Sequence, residues 1–377
     1  MKTLKDIRFV DGLKALVRAD FNVPLKNGSV ADDYRIRMTI PTVKHLLDKK
    51  AKVILISHLE SNDGGNPSLQ PIADALNRLN VTVKFIKDYK NAREIIEAED
   101  YGCFLLENLR FFDGEKGNDA KFAKELASLA DIYVNDAFSV CHREHASVVG
   151  IPKYLDSYAG LQLEKEISHL SRAFDPARPF LFILGGAKFD TKLPLLEKFM
   201  KIADFVFVGG ALANDFFQEK GYEVGASAVS KGDFGLSRFV KSKKLLLPAD
   251  VLNEGREVRS SDGLSSTDKA VDAGPKTLAE LKETIHISKL VLWNGPLGKY
   301  EGGFQEATLT LARMIGEATE KSGVESIVGG GDTLAAIAAL GIESKFTFVS
   351  TGGGAMLDFL ANGTLPGIKA LEDSKAD

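Results

Sequence analysis

The segment Pro179-Phe-Leu-Phe-Ile-Leu-Gly-Gly-Ala-Lys188 decides the fold of the second half of the chain. It is a short apolar run that ends in paired glycines, and four later segments repeat this pattern: 204–211, 289–298, 326–333 and 346–355. Apolar runs of this length between helix-like stretches are typical of strands that are buried on both faces of a parallel sheet. Ligands bind beyond the carboxyl ends of such strands, so we expect five glycine-containing turns along one edge.

Glycine-rich turns at that edge favour a phosphate ligand. Glycine has no Cβ and accepts positive φ, so its backbone N–H can approach a phosphate closely, and a helix that begins there adds a favourable dipole. Neither G-x-x-x-x-G-K-[ST] nor G-x-G-x-x-G occurs in the chain, so the interpretation depends on the repeated pattern alone. The second half is therefore predicted to bind a polyphosphate or a nucleotide.

The first half alternates in the same way, but its apolar runs end in side chains of a different kind. Asp, Asn, His and Arg close the runs within 16–24, 53–58, 103–110 and 132–138, and His142 and Arg143 follow the last one. Guanidinium and imidazole groups suit a small anion that carries carboxylate or phosphate groups. One half is thus predicted to bind phosphate through its backbone, and the other to bind an anion through side chains.

Size and composition favour two soluble α/β domains. A chain of 377 residues exceeds what one core usually serves, and a content of 44% hydrophobic and 27% charged residues is ordinary for a globular protein. No apolar run approaches the length of a membrane span, and a net charge of -4 gives no indication of nucleic acid as a partner. The amino terminus lacks the apolar stretch of a signal peptide, and the two cysteines suit buried or incidental thiols, so we expect a cytoplasmic protein.

We predict an α/β fold of two doubly wound, parallel-sheet, Rossmann-like domains joined by a helix. The first domain covers 1–157, the connecting helix 158–174 and the second domain 175–359. The tail, about 360–377, retains enough apolar residues to pack against the protein. An ordinary surface helix inside one domain is the alternative for 158–174, but the change in chemistry at the strand ends across it favours a linker.

Several charged residues of the second half have both a functional and an ordinary interpretation. Lys188 and Lys192 follow the first glycine turn, where two ammonium groups can neutralise a transferring phosphoryl group, although each alone also suits a solvated surface lysine. Asp332 opens a predicted helix and is either an N-cap or a Mg²⁺ ligand. Glu301 is placed to accept hydrogen bonds from ribose hydroxyls.

The arginines of the first half are also open to two interpretations. All of them can be surface charges, the usual environment of arginine: Arg18, Arg35, Arg37, Arg110 and Arg143. Arg110 and Arg143 stand out because they directly follow apolar runs. The sequence His142-Arg-Glu-His145 suggests a metal site but lacks the H-E-x-x-H spacing, so contacts to an anion or a hydrogen-bonded histidine are the preferred interpretation.

Nine segments occur in a fixed order along the chain: 18–24, 57–58, 106–111, 134–138, 142–147, 185–188, 293–296, 328–333 and 350–355. In this order they resemble the phosphoglycerate kinase family. The resemblance implies a first domain for 3-phosphoglycerate, a second domain for MgADP or MgATP, and a carboxyl-terminal tail that packs on the first domain. It implies reversible transfer of the acyl phosphate of 1,3-bisphosphoglycerate to ADP, as in glycolysis and gluconeogenesis. We expect a monomer with no nucleic-acid or membrane partner.

The resemblance assigns site residues position by position in both halves. The phosphoglycerate would be held by Asp20, Asn22, Arg35, His58, Arg110 and Arg143. The nucleotide would be held by Gly185, Ala187, Lys192, Gly209, Gly210, Asn294, Pro296, Glu301, Gly331, Asp332, Thr333, Gly352, Gly353 and Gly354. Arg35, Lys188, Lys192 and Gly353 would be the catalytic residues, with Lys188 stabilising the transferred phosphoryl group. Asp332 would bind Mg²⁺.

The chain departs from the family pattern at three places. The family usually continues Ser-His-Leu with Gly-Arg-Pro, whose arginine binds substrate, and here Ser61 stands at that arginine's position. The loss of one charged hydrogen bond costs about 1.5 to 3 kcal/mol of binding free energy. Ala211 replaces the last glycine of a Gly-Gly-Gly-Met turn, and Lys299-Tyr300 replaces a more apolar pair. These departures concern substrate affinity more than the reaction.

The predicted reaction needs no general base, because in-line transfer from an acyl phosphate requires positioning, exclusion of water and neutralisation of charge by Mg²⁺, Lys188 and Arg35. Sites on separate domains must also be brought together, so the linker helix is predicted to act as a hinge. Two alternatives remain at this point. A dehydrogenase would need the dinucleotide fingerprint that is absent, and a catalytically weakened nucleotide-binding relative is the more serious rival because of Ser61.

Overall fold

The computed structural model describes residues 1–61, 64–99 and 102–374. The chain divides into two compact units, each with its own parallel sheet and helices, so the predicted fold class is confirmed. Unit 1 contains Met1–Ser168 and the segment from Thr364, and unit 2 contains His169–Gly363. Within the described part of the chain, no helix has both the length and the apolar character that a membrane span requires.

Unit 1 is an α/β layer structure around six parallel strands. In chain order its elements are β1 Lys14–Arg18, β2 Leu25–Lys26, β3 Ser29–Val30, α1 Tyr34–Asp48, β4 Lys52–Ile56, α2 Gln70–Arg78, β5 Lys84–Ile86, α3 Ala92–Ala98, β6 Cys103–Leu106, α4 Asp113–Lys116, α5 Ala120–Ala127, β7 Ile132–Asn135, β8 Asp156–Ala159 and α6 Leu161–Ser171. The helix predicted over 158–174 is shorter in the structure, because the chain pairs as β8 up to Ala159. The two units divide inside α6.

The strand order of unit 1 places its polar strand ends together. The order is β5-β6-β4-β1-β7-β8, with β2 and β3 forming a separate antiparallel hairpin. β1 pairs in parallel with β4 on one side and β7 on the other, and the chain fills the β4 side first and crosses to β7 only after β6. A crevice forms beyond the carboxyl ends of the strands at such a switch point.

Unit 2 repeats this architecture and adds a small antiparallel sheet. Its elements are β9 Phe180–Leu184, α7 Phe189–Ile202, β10 Phe205–Val208, α8 Leu212–Glu219, α9 Ser237–Val240, β11 Leu245–Leu246, β12 Asp250–Asn253, β13 Val258–Ser260, β14 Ala270–Ala273, α10 Pro275–Ile287, β15 Leu290–Asn294, α11 Glu306–Ser322, β16 Glu325–Gly329, α12 Gly331–Leu340, β17 Phe348–Val349 and α13 Gly354–Asn362. The parallel order is β11-β10-β9-β15-β16-β17, and β13-β12-β14 form the antiparallel sheet. All five repeated segments contain strands of the parallel sheet.

The central strands are continuous apolar runs because helices cover both faces of each sheet. Every residue of β9 and β15 is buried, including Trp293. Three buried aspartates accept hydrogen bonds from backbone N–H groups in the first turns of helices: Asp136 for α6, Asp250 for α10 and Asp272 for α11. Such contacts satisfy donors that a helix leaves unpaired at its start.

The carboxyl-terminal segment from Thr364 belongs to unit 1. Its helix α14, Pro366–Glu372, packs against the π-helical turn Ala146–Gly150, and the backbone N–H of Gly367 donates to the carbonyl of Cys141. Residues 360–363 lie in unit 2, whereas the prediction began the tail at about 360. The last three residues of the predicted tail, 375–377, lie outside the described part of the chain.

Candidate active site

The polar residues of unit 1 converge because they follow parallel strands at the same edge of the sheet. Asp20 and Asn22 follow β1, His58 follows β4, Arg110 follows β6 and Arg143 follows β7. We call Arg18, Arg35, His58, Arg110, Arg143 and His145 the basic cluster. Within the described residues there is no group of three or more His, Cys, Asp or Glu side chains suited to a metal ion, so the metal interpretation of His142 and His145 has no support.

Arg18 is the most deeply buried member of the basic cluster, although surface exposure is the usual fate of an arginine. Its guanidinium donates to Ser147 Oγ at 2.9 Å, to the carbonyl of Ala19 at 2.6 Å and to His58 Nδ1 at 3.1 Å. A buried cation is stable only when its donors are satisfied in this way. Arg18 therefore fixes the orientation of the His58 ring.

His58 is held as a neutral donor. Burial, together with the charges of Arg18, Arg110 and Arg143, lowers its pKa well below the usual value. Since Arg18 can only donate, His58 Nδ1 must accept, and the ring hydrogen is on Nε2. That atom is buried and has no hydrogen-bond partner within the described residues. His58 thus presents an unused N–H donor.

Arg110 supplies a second unused donor. Its Nε donates to Glu60 Oε1 at 2.7 Å and its Nη1 contacts His145 Nδ1 at 3.2 Å, while Nη2 is buried without a partner among the described residues. Glu115 Oε1 lies 3.8 Å from Nη1. Burial and the neighbouring arginines lower the pKa of His145 to about 4, so it adds no charge at neutral pH. An anion is the ligand that such donors suit.

Arg35 forms the more open side of the cluster. Its Nη1 donates to Asp20 Oδ2 at 3.2 Å and to the carbonyl of Asn22 at 3.4 Å, and 30% of its side chain is exposed. Asp20 also accepts from Ser139 Oγ at 2.7 Å. Arg143 is partly exposed, and its side chain makes no ion pair within the described residues. Its positive charge nevertheless helps to lower the pKa of His58, Glu60 and His145. The predicted substrate residues of unit 1 are therefore brought together.

Unit 2 presents backbone where unit 1 presents side chains. The N–H groups of Gly185 and Gly186 donate to the carbonyls of Asn294 and Pro296, at 2.8 and 2.9 Å, which joins the turns after β9 and β15. Gly210 has φ +64, and a Cβ there would lie 2.7 Å from the nitrogen of Gly186. The turns can approach this closely only because these positions lack side chains.

The two predicted lysines differ in environment. Lys192 is buried, and its Nζ donates to the carbonyl of Gly185. Burial lowers the pKa of Lys192 to about 8, and the charge of Asp332 limits the fall. Lys188 is exposed at the N-cap of α7, and its ammonium makes no hydrogen bond or ion pair within the described residues. Lys192 thus uses one of its ammonium donors to hold the turn after β9, whereas the ammonium of Lys188 makes no such bond.

Two helices of unit 2 begin at glycine turns. Gly330, with φ +107, precedes α12, and Gly353, with φ +54, precedes α13. Thr333 Oγ1 accepts from the N–H of Gly295 at 3.1 Å, so the α12 turn is joined to the β15 turn. The carboxylate of Asp332 lies in the first turn of α12 and makes no hydrogen bond or ion pair with the described residues. It therefore does not serve as an N-cap.

A pocket of about 390 Å³ adjoins these turns in unit 2. Its lining includes Ala187, Gly210, Ala211, Asn214, Leu297 and Lys299. Gly209 lies behind it, because a Cβ there would meet Leu297 and the ring of Phe207. Glu301 is exposed in the turn Tyr300–Gly302 and makes no hydrogen bond or ion pair to the other predicted nucleotide residues within the described part of the chain. The structure thus groups the predicted nucleotide residues, with Glu301 at the margin.

Comparison with known proteins identifies the family. Residues 4–363 match the family model for phosphoglycerate kinase. The chain belongs to the phosphoglycerate kinase family. A phosphoglycerate kinase of Dictyoglomus turgidum is 43% identical over 395 residues, covering 99% of each chain. A phosphoglycerate kinase of a Wolbachia strain from Drosophila simulans is 42% identical over 379 residues, covering 95% of each.

Solved structures agree with this membership. The phosphoglycerate kinase of Coxiella burnetii has a TM-score of 0.86 and 34% identity, covering 99% of each chain. That of Pyrococcus horikoshii has a TM-score of 0.84 and 30% identity, with the same coverage. The resemblance recognised from the sequence is therefore confirmed, and so is the prediction of a phosphotransferase. The dehydrogenase alternative is wrong, and nothing in the comparisons favours a weakened relative.

The departures from the phosphoglycerate kinase pattern have local explanations. Ala211 has φ -64, so an alanine is accommodated there without backbone strain. Ser61 Oγ donates to the carbonyl of Gly65 at 3.1 Å, and the side chain that contacts Arg110 is that of the preceding residue, Glu60. Asn62 lies outside the described residues. Lys299 lines the pocket, and its N–H donates to the carbonyl of Val271 at 2.8 Å.

Sequence reasoning did not assign to the site four residues that build it in unit 1. They are Arg18, Glu60, Glu115 and Ser147, which link the cluster through buried hydrogen bonds and ion pairs. For Arg18 a signal existed, because it is the last residue of an apolar run, in the same position that drew attention to Arg110. For Glu115 no local signal existed, because its partners are distant in sequence and only the fold brings them together.

Proposed function

We propose that the chain catalyses reversible transfer of the acyl phosphate of 1,3-bisphosphoglycerate to MgADP, giving 3-phosphoglycerate and MgATP. The observation that carries the proposal is the pair of buried, unused donors in the basic cluster, His58 Nε2 and Arg110 Nη2. Donors of this kind are costly unless a ligand accepts from them. A small anion with phosphate and carboxylate groups satisfies them, and it is the substrate class expected for a member of this kinase family.

In this proposal unit 1 binds the phosphoglycerate. Arg110, Arg143 and His58 neutralise and orient its anionic groups, while Asp20 and Asn22 fix the position of Arg35. Arg35 also stabilises the transferred phosphoryl group, for which its partial exposure suits it. Guanidinium groups are effective in this role because charge spreads over the equatorial oxygens during transfer.

Unit 2 binds the nucleotide in this proposal. The glycine turns that follow β9, β10, β15, β16 and β17 form its site, in which the turns after β16 and β17 supply backbone donors and the starts of α12 and α13 add their dipoles. Lys192 contacts nucleotide phosphates, Gly353 contacts the phosphoryl group in transfer, and Glu301 contacts the ribose. Lys188 is the cation that stabilises the transferring phosphoryl group, because its ammonium makes no other hydrogen bond or ion pair within the described residues.

Asp332 is the residue proposed to hold Mg²⁺. Its carboxylate is uncommitted within the described residues and lies at a helix start where phosphates are proposed to bind. A single carboxylate suffices, since Mg²⁺ is commonly bound by one or two carboxylates together with substrate phosphates and water. When bound, the ion neutralises charge on the phosphate oxygens.

Transfer between a ligand of unit 1 and a ligand of unit 2 requires the units to close, and we propose α6 as the hinge because the units divide within it. We also propose a cytoplasmic monomer. The two buried free thiols, Cys103 and Cys141, suit a reducing compartment, and burial raises the pKa of each to about 12.

A coupled assay tests the proposal directly. MgATP consumption is measured against 3-phosphoglycerate concentration, and we expect saturable, phosphoglycerate-dependent turnover that requires Mg²⁺. Calorimetric binding of MgADP without any phosphoglycerate-dependent turnover would overturn the proposal in favour of a catalytically weakened relative.

A further inference from the structure

Glu60 is a carboxylate inside an anion site. Its Oε1 accepts from Arg110 Nε at 2.7 Å, and its backbone N–H donates to Asn22 Oδ1 at 3.0 Å. Both partners are proposed substrate residues. The Arg110 side chain is fully buried, whereas 33% of the Glu60 side chain is exposed. A negatively charged side chain therefore occupies one of the donors with which Arg110 would bind an anion.

Glu115, the other carboxylate near Arg110, has a different environment. It is completely buried, and its two oxygens accept from the N–H and Oγ of Ser147, at 2.9 and 2.6 Å. Glu115 Oε1 lies 3.8 Å from Arg110 Nη1, and Glu115 is linked to Arg18 through Ser147, whose Oγ also accepts from Arg18 Nε. Glu115 thus supplies one buried counter-charge for the two buried arginines. Glu60 supplies the second counter-charge, but from a partly exposed position at which an entering anion can take its place.

Glu60 remains ionised at neutral pH. Partial burial alone would raise its pKa, but the hydrogen bond and charge of Arg110, with the charges of Arg143 and Lys116, bring the pKa below its ordinary value. No other acidic group contacts it within the described residues. Its negative charge therefore opposes an incoming anion throughout the physiological range.

We propose that Glu60 is a resident competitor for Arg110, which sets the affinity and charge selectivity of the anion site. The inference deepens the proposed function, because the competing ligand is the proposed phosphoglycerate. An entering phosphate or carboxylate must either displace the Glu60 carboxylate from Arg110 or bind beside a like charge. A ligand that also contacts Arg35 and His58 can offset this cost, whereas a small inorganic anion with fewer contacts cannot.

Neutralising Glu60 is expected to tighten anion binding. In Glu60→Gln the amide oxygen can still accept from Arg110, but the negative charge is gone. Removing one like charge within contact distance of a partly buried anion site should lower the dissociation constants of 3-phosphoglycerate and sulfate about tenfold. KM for 3-phosphoglycerate should fall in parallel, with KM for MgATP as the internal reference because the nucleotide binds in unit 2.

A purely structural role for Glu60 makes the opposite prediction. If Glu60 only positions Arg110, Glu60→Ala should weaken binding of both anions and Glu60→Gln should restore it. If Glu60 competes, both variants should bind both anions more tightly than the parent protein. The matched control is Glu97→Gln, which removes an equal charge from an exposed position on α3 of the same unit.

The experiment is calorimetric titration of the full chain and its three variants with 3-phosphoglycerate and with sulfate at constant ionic strength, combined with the coupled assay. Tighter binding of both anions in both Glu60 variants, with no change in Glu97→Gln, supports the proposal. Unchanged or weaker binding in Glu60→Gln overturns it. Absence of phosphoglycerate-dependent turnover in the parent protein would instead refute the proposed function, while the sulfate titration would still test the competition.

Discussion

The two units place their proposed ligand-binding groups at the same edge of the same kind of sheet, but the chemical groups differ: side chains in unit 1 and backbone in unit 2. In unit 1 the groups are side-chain donors such as His58 Nε2 and Arg110 Nη2, both buried and both on side chains held by further polar partners. In unit 2 they are glycine turns, such as those at Gly186 and Gly210, whose backbones pack at distances that exclude a Cβ. The parallel sheet therefore fixes where ligands bind, while the residues after each strand fix what is recognised.

The difference also determines which substitutions each site tolerates. A buried charge depends on its counter-charges, so the removal of one partner leaves another unsatisfied. A backbone site depends on the absence of side chains, so even a methyl group is disruptive where φ is positive. Unit 1 should thus be sensitive to changes of charge and unit 2 to changes of volume.

Lys188→Ala is the largest test, because Lys188 is the side chain proposed to stabilise the transferring group in the unit that otherwise presents mainly backbone. We expect Lys188→Ala to lower turnover about a thousandfold, since electrostatic stabilisation of a transferring group is commonly worth this much, while MgADP affinity changes little. Turnover is measured by the coupled assay and affinity by calorimetry. Lys201→Ala, at an exposed position near the end of the same helix, is the control. An unchanged rate in Lys188→Ala would remove this lysine from the chemistry.

Gly210→Ala tests the sensitivity of unit 2 to volume. The new Cβ would lie 2.7 and 2.8 Å from the backbone of Gly186 and 3.0 Å from the carbonyl of Pro296, at a φ of +64. We expect the free energy of unfolding of unit 2 to fall by about 3 kcal/mol. Urea unfolding is followed by the fluorescence of Trp293, the single tryptophan, which is buried in unit 2.

Gly303→Ala separates the two causes of that loss, which are the close packing around the new Cβ and the positive φ. Gly303 has φ +84, but no atom lies within 4 Å of the position that a Cβ would take. Only the cost of placing alanine in the left-handed conformation, about 1 kcal/mol, should therefore remain. Equal losses in the two variants would mean that close packing at Gly210 is not what limits unit 2.

The sequence predicted the arrangement of strands better than the partners of individual charges. All five repeated segments of the second half contain parallel strands, because a strand buried on both faces must be apolar throughout. The short strands β5 and β11 were not predicted, since two or three residues carry too little pattern. The antiparallel strands β12, β13 and β14 were also missed, because they are three or four residues long and contain the polar residues Asp250, Arg259 and Asp272.

The partners of the charges depend on contacts that no local pattern records. Arg18 and Arg37 were open to the same surface interpretation, yet Arg37 pairs with Asp33 on an exposed helix face and Arg18 is buried against Ser147. Ser61 was recognised as a departure, but its neighbour Glu60 is the residue whose side chain contacts Arg110. The roles assigned to the site residues stay predictions, which ligand-binding measurements on their variants test.

Arg110→Met tests the sensitivity of unit 1 to charge. The change removes the buried donors for the substrate and a counter-charge of Glu115, so we expect 3-phosphoglycerate affinity to fall about a hundredfold while MgADP affinity is retained. Calorimetry with each ligand measures both. Arg37→Met is the control, because it removes an exposed arginine of the same unit. Loss of stability without loss of phosphoglycerate affinity would show that Arg110 is structural.

Asp136→Asn is the smallest test, and it asks whether buried charge in unit 1 also controls stability. Burial raises the pKa of Asp136 to about 7, and hydrogen bonds from Gln162 and Leu163 only partly oppose this. A carboxyl whose pKa is raised in the folded state stabilises the fold at low pH, and that contribution is lost as the pH rises through the folded pKa. We therefore expect the free energy of unfolding of unit 1 to fall by about 2 kcal/mol between pH 5 and pH 7.

The Asn variant keeps an oxygen to accept from the start of α6 but cannot ionise, so its stability should be flatter across the same pH window. Urea unfolding at each pH is followed by hydrogen exchange in peptides of unit 1, which separates its unfolding from that of unit 2. The free energy of unfolding should fall more steeply with pH in the parent protein than in the variant, by the amount that corresponds to about one proton released on unfolding. Equal slopes would mean that Asp136 stays ionised in the fold, and that buried charge in unit 1 acts only at its anion site.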